Sequence, residues 1–220
     1  GLVKGASKGE GLGNKFLSHI REVDAIIHLV RCFESDKITH VNSKINPVDD
    51  LETIKTEIIL SDLDIIQKKL EKGKKKLLDK KDVEILEDKL KQLNNGREIV
   101  VNNKDELKFL TTLGLLSIKP KIIVCNVDEE SLAEGNSFTE SIKKNYSKEK
   151  VVTICADIED QIMDLDNNER ETFMKEIGLN KTGLNQLIKE GYELLNLDTF
   201  FTSGPEESRA WTIEKNTPAP

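Results

Sequence analysis

Two periods alternate along this chain. "DAIIHLVRCF" (24–33), "KIIVCN" (121–126) and "KVVTICA" (150–156) are short, unbroken apolar runs rich in branched residues. Such runs read as buried strands. Each is followed by polar residues and then by a helical pattern. Buried strands alternating with helices predict an α/β fold around a parallel sheet.

Between the first two runs the period lengthens. Leu51, Ile54, Ile58, Ile59, Leu63, Ile66 and Leu70 recur at threes and fours, as do Val83, Leu86, Leu90 and Leu93. These stripes predict two helices. The segment joining them, "KKLEKGKKKLLDKK" (68–81), holds eight lysines, two acids and Gly73. The pattern predicts an antiparallel helical coiled-coil hairpin with a basic tip, each arm about 20 residues and roughly 30 Å long. "KDELKFLTTLGLL" (104–116) reads as a shorter helix that returns the chain to the sheet. After the third run, "NNERETFMKEIGL" and "KTGLNQLIKEGYELLNL" predict two further helices, the first opened by a capping box of Asp166 and Glu169. "TFFTSGPEESRAWTI" reads as the β-like opening of another domain.

Composition narrows the function classes. The chain has 220 residues, 37% of them hydrophobic and 33% charged, with a net charge of -7. That charge argues against a sequence-specific DNA-binding protein, while the lysine-rich tip leaves room for a local RNA contact. The tip reads either as a solvated turn or as a contact of Lys74, Lys75 and Lys76 with RNA phosphate. Cys32, Cys125 and Cys155 are odd in number and far apart, which fits neither a disulfide framework nor a zinc site. They read as reduced, buried, small hydrophobes of a cytoplasmic protein. No run reaches the roughly 18 apolar residues of a membrane span. The start without methionine and the ending "NTPAP" read as cuts through a longer protein.

The opening stretch, "GLVKGASKGEGLGNKFLSHI", is glycine-rich like a phosphate cradle. Yet no Gly-Lys-Ser or Gly-Lys-Thr occurs anywhere in the chain. Together with "VRCFE", "NPVDDLETI", "CNVDEE", "GYELLNL", "TFFTSG" and "RAWTI", in that order, it resembles the YchF family, the Obg-like ATPases of the translation-factor class of P-loop NTPases. The resemblance implies an incomplete G domain over 1–47 and 117–198. It further implies a helical coiled-coil insertion over 48–116 and the start of a TGS domain, a module linked to RNA or ribosome binding, over 199–220.

On that resemblance Gly1 is the glycine of an Asp-x-x-Gly switch motif, and the opening stretch is the switch loop that senses the γ-phosphate through the Gly1 N–H. Many related GTPases follow this glycine with a glutamine that orients water. Here the position is Leu2, which cannot hydrogen-bond water. The resemblance points to His40 in "KITHVN" as the substitute; from the residues alone it reads equally as a surface or cap histidine. His19 and His28 read as structural.

"CNVDEE" stands where GTPases carry Asn-Lys-x-Asp. There the aspartate accepts two hydrogen bonds from guanine. In this chain the lysine is replaced by Val127 and the aspartate by Glu129. Adenine offers neither of guanine's two donors to such a carboxylate, so the change relaxes or inverts a guanine preference. Taken alone, such a tetrapeptide after a strand reads as an ordinary loop. The resemblance implies that Asn126 braces the loops and that the Val127 backbone reaches adenine N6. It also implies that Cys155 and Ala156 in "TICAD" meet the base through their backbone; the role of Asp157 stays open. The P-loop and the ligands of Mg2+ are expected before Gly1. The implied function is a ribosome-associated nucleotide hydrolase, taking ATP in preference to GTP and acting as a translation or stress-related switch. The alternatives are a nucleotide-gated RNA- or ribosome-binding module with negligible hydrolysis, and a structural coiled-coil adaptor.

Overall fold

The computed structural model describes residues 5, 13–38, 44–73 and 78–218, with residues 13–15 as backbone only. Gly1, Leu2, His40, Lys74, Lys75 and Lys76 lie outside the described residues. The chain divides into two compact units, Gly1–Ile26 with Asp49–Lys119, and Ile27–Val48 with Pro120–Pro220.

The first unit is helical: α1 (Gly13–Arg21), α2 (Pro47–Gly73), α3 (Lys80–Asn94) and α4 (Lys104–Thr112). α2 opens at Pro47, whose fixed φ suits a first helical position and whose missing N–H costs nothing there. Asp49 and Asp50 complement the dipole of its first turn. α3 stops where Gly96 turns left-handed at φ 68°, a conformation that disfavours any side chain. The arms are therefore unequal, 27 and 15 residues, rather than about 20 each. Their stripes meet as expected: Ile59 and Ile66 share one core cluster with Leu86 and Leu93, joined by Ile99, Leu110 and Leu115. Burying each such side chain is worth about 1.5–3 kcal/mol. A second cluster joins Leu17 of α1 to Ile58 and Leu116, so α1 packs with the helical unit.

Buried charged groups brace this unit. Lys89 of α3 is fully buried, and its Nζ donates to Glu106 Oε1 at 2.6 Å, Val100 O at 2.8 Å and Asp88 Oδ2 at 2.9 Å. The pair ties α3 to the start of α4, where Asn103 accepts the Glu106 N–H. Asp62 of α2 is equally buried. It accepts the Leu116 N–H at 3.0 Å, the Ser117 N–H at 2.8 Å and the Ser117 hydroxyl at 2.6 Å.

The second unit carries a three-stranded sheet in the order β1 (Ile26–Arg31), β2 (Lys121–Asn126), β3 (Lys150–Ile154). β2 and β3 pair in parallel, with Cys125 opposite Thr153 and Asn126 opposite Ile154. β2 is buried on both faces, as its unbroken apolar run predicts. β1 is not. Ile26 and Val30 are buried, while Ile27 and Leu29 are 53% and 61% exposed; their face is uncovered among the described residues. Ile122, Val124 and Val152 pack against Leu187 and Leu194 of α8 (Gly183–Leu194).

α5 (Ser137–Asn145) and α7 (Asn167–Glu176) each begin in a capping box, the latter formed by Asp166 and Glu169 as the sequence predicts. α6 (Ala156–Asp164) begins at Ala156, so the third strand ends earlier than its apolar run does. β4 (Leu197–Ser203) and β5 (Ser208–Glu214) form an antiparallel hairpin with Phe200 opposite Trp211. The three cysteines are buried and form no disulfide. No helix among the described residues is long and apolar enough to cross a membrane.

Candidate nucleotide-base site

The parallel register brings Asn126 and Ile154, the last residues of β2 and β3, side by side. Loops leaving the carboxyl ends of neighbouring parallel strands are where open α/β sheets bind ligands. Here those loops are stitched together twice. Asn126 Oδ1 accepts the Ala156 N–H at 3.0 Å, and the Val127 N–H donates to Ile154 O at 2.9 Å.

The five candidate residues of these loops are thus brought together, each in a distinct state. Val127 is buried, so its side chain does not offer a surface. Its N–H is committed to Ile154. Ala156 likewise spends its N–H on Asn126. Asp128 Oδ1 accepts the Ser131 N–H at 3.0 Å, turning the loop on itself. Glu129 is exposed. Its carboxylate lies close enough to Cys155 to act on that thiol electrostatically. Burial pushes the Cys155 thiol up; the backbone amides of Ile158 and Asp157 pull the other way, while the charges of Asp157 and Glu129 add to the rise.

Two supporting groups escaped the sequence reading. Asn136 reaches with Nδ2 to Cys32 O at 2.7 Å and to Ser131 Oγ at 3.1 Å, fixing the loop after β2 to the end of β1. Its signal was the spacing Asn136 to Thr139, a capping box. Arg31 gathers three carbonyls with one guanidinium: Phe33 O at 3.1 Å, Ser35 O at 3.1 Å and Ile38 O at 2.9 Å. This fork shapes the turn that leads toward position 40. The sequence carries no local sign of it.

Among the described residues no cluster of His, Cys, Asp or Glu is able to hold a metal ion. Gly1, His40 and Lys74 to Lys76 are not placed.

No family model matches the chain. Individual proteins do. It is 46% identical over 231 residues to the ribosome-binding ATPase YchF of Escherichia coli O157:H7. It is 45% identical over 232 residues to the protein of that name from Bacillus subtilis, and 40% identical over 232 residues to that from Mycoplasma pneumoniae. Each match takes in 100% of this chain, which spans 63–64% of the length of these relatives. The solved structure of the Schizosaccharomyces pombe YchF GTPase superposes with a TM-score of 0.82 at 31% identity, over 95% of this chain and 60% of that one. With sequence matches across the whole of this chain and a shared α/β parallel-sheet fold, the chain belongs to the YchF family.

Proposed function

We propose that the protein is a ribosome-associated nucleotide hydrolase that takes ATP in preference to GTP, and that Asn126, Val127, Glu129, Cys155 and Ala156 form its base-binding edge. The observation that carries this reading is the double stitch between the two loops, Asn126 to Ala156 and Val127 to Ile154. It spends the Val127 N–H inside the protein, so in this reading the residue meets an incoming base through its carbonyl, an acceptor. Adenine presents an exocyclic amine at N6; guanine presents a carbonyl oxygen at the matching position and is not satisfied by an acceptor. Glu129, longer than aspartate by one methylene, no longer offers the fitted carboxylate that guanine's paired donors require.

The relatives' names support hydrolysis and ribosome binding, but they divide on the nucleotide, the bacterial proteins being named ATPases and the fungal one a GTPase. In the proposed reaction water attacks the γ-phosphate in line. The Gly1 N–H senses that phosphate, and His40 orients the water in place of the glutamine that Leu2 displaces. Mg2+ would neutralise charge on the phosphates, held by ligands outside the described residues. The proposed domains are a G domain over 1–47 and 117–198, a helical insertion over 48–116 and the start of a TGS domain over 199–220. The proposed location is the cytoplasm, and the proposed ribosomal contact is the lysine tip with Lys74, Lys75 and Lys76.

Competition titration of ATP against GTP on the full-length protein, with phosphate release measured in parallel, tests the reading. Tighter ATP binding with turnover supports it. A tenfold preference for GTP, about 1.4 kcal/mol, overturns the nucleotide assignment. Binding without turnover replaces the enzyme by a nucleotide-gated binding module.

A further inference from the structure

The loop after β2 is closed at its neck by a single residue just past β1. Where the loop begins, Asn126 O accepts the Cys32 N–H at 2.7 Å. Where it ends, Asn136 Nδ2 donates to Cys32 O, also at 2.7 Å. The backbone N–H and C=O of one residue thus hold both ends of residues 126–136. Between those ends the loop is bonded to itself. Asp128 Oδ1 accepts the Ser131 N–H at 3.0 Å, Glu129 O the Leu132 N–H at 3.2 Å and Ser131 O the Gly135 N–H at 2.8 Å. Gly135 turns the chain back at φ 81°, where an added Cβ would stand 2.6 Å from Thr139 Oγ1.

Helix capping does not account for all that Asn136 does. A cap needs only an acceptor, which aspartate or serine supplies as well. Asn136 Oδ1 meets that need, accepting the Phe138 and Thr139 N–H groups at 3.1 Å each. What asparagine adds is the Nδ2 amine, a donor on the other side of the amide. That amine makes two bonds outside α5, to Cys32 O and, at 3.1 Å, to Ser131 Oγ. The two differ in what they tolerate. A serine hydroxyl donates as well as accepts, so it bonds equally to a carboxylate in the amine's place. A carbonyl oxygen only accepts, so the bond to Cys32 requires the amine.

Resting on the reading of Asn126, Val127, Glu129, Cys155 and Ala156 as the base-binding edge, we infer that Asn136 is a positioning residue for base recognition. Its amine ties the loop that carries Val127 and Glu129 to the end of β1 before a nucleotide arrives. A loop already in place leaves less ordering to be done on binding. Base affinity therefore depends on a side chain that stands outside the base-binding edge.

The test compares wild type, Asn136→Asp and Asn136→Ser in the full-length protein. Asn136→Asp keeps the cap and removes the bond to Cys32; Asn136→Ser caps without an amine. In calorimetric titration each variant is expected to bind ATP about tenfold more weakly than wild type. Tripolyphosphate with Mg2+, which carries no base, is expected to bind all three proteins equally. Amide hydrogen exchange is expected to quicken at Ser131, Leu132 and Gly135 and to stay unchanged within α5. Unchanged ATP affinity in Asn136→Asp overturns the inference, and so does an equal weakening of tripolyphosphate. Exchange that quickens throughout α5 also overturns it, by making Asn136 a plain helix cap. Should Asn136→Asp fail to fold, Asn136→Ser decides by the same readings. A wild-type protein that binds neither ATP nor GTP overturns the base-site reading, and this inference with it. A wild type that binds ATP beside an indifferent Asn136→Asp overturns this inference alone.

Discussion

Asn126 and Ala156, 30 residues apart, are joined by a 3.0 Å hydrogen bond from the Ala156 N–H to the Asn126 side chain. The bond closes the two loops at the carboxyl edge of the sheet into one surface. Asn126→Ala removes it while leaving the backbone pairing of β2 and β3 in place. The variant is expected to lose about 1 kcal/mol of stability and roughly tenfold in ATP affinity in the full-length protein. Calorimetric titration together with thermal unfolding checks both. Unchanged affinity would mean that the loops keep their places without this brace.

Glu129 is exposed, so a shorter side chain there leaves no cavity in the core. Glu129→Asp is expected to raise the ratio of GTP to ATP affinity about tenfold, by restoring a carboxylate at the distance guanine's two donors prefer. Val127 is a poorer position for the reverse experiment. Its side chain is buried, so a lysine there would be forced to snorkel out of the core. Competition binding of the two nucleotides reads the ratio; no movement in it would remove Glu129 from base selection.

Lys89 and Glu106 form a buried pair 2.6 Å apart. Lys89→Met leaves the Glu106 carboxylate buried without its cation, and a loss of about 3–5 kcal/mol is expected in denaturant unfolding. Adding Glu106→Gln should restore part of it. Burial pushes Glu106 up, but the Lys89 ammonium and the Asn102 amide outweigh that and hold it below its ordinary 4.5. A lowered carboxyl stabilises above its unfolded value and loses that contribution as pH falls through its folded one. The wild type should therefore lose more stability than Glu106→Gln as pH drops below about 4.5, and the two should run parallel near neutrality. Parallel curves down to acid would show the pair to be inert.

The hairpin tip carries eight lysines between positions 68 and 81 in a chain of net charge -7. Lys68 is partnered with Asp64 at 2.7 Å, one turn back along α2. Lys74, Lys75 and Lys76 are the proposed phosphate contacts. Replacing all three by Gln is expected to reduce co-sedimentation with ribosomes and to flatten its salt dependence, with the ATPase rate unchanged when ribosomes are absent. Equal sedimentation at every salt concentration would identify the tip as a solvated turn.

What the sequence alone determined is local. The unbroken run of β2 marked its bounds, Lys121–Asn126, because a strand buried on both faces tolerates no polar position inside it. The stripes of α2 and α3 named Ile59, Ile66, Leu86 and Leu93 as one core, because the helical period itself sorts side chains onto a face. Asp166 and Glu169 announced the start of α7 across three residues. Tertiary structure decided the rest. Lys89 stands outside the apolar stripe, and only the return of Val100 and Glu106 against it makes it a buried residue. The Val127 N–H is spent on Ile154 only because the register of β3 sets that residue beside it. Glu57 looked like any helical acid until Gly5, 52 positions away, was found on it. Period and caps act over a few residues and can be read along the chain. A buried charge finds its partner only when distant elements stack, and until they do, a lysine or glutamate on a helix looks the same whether it faces water or its counter-charge.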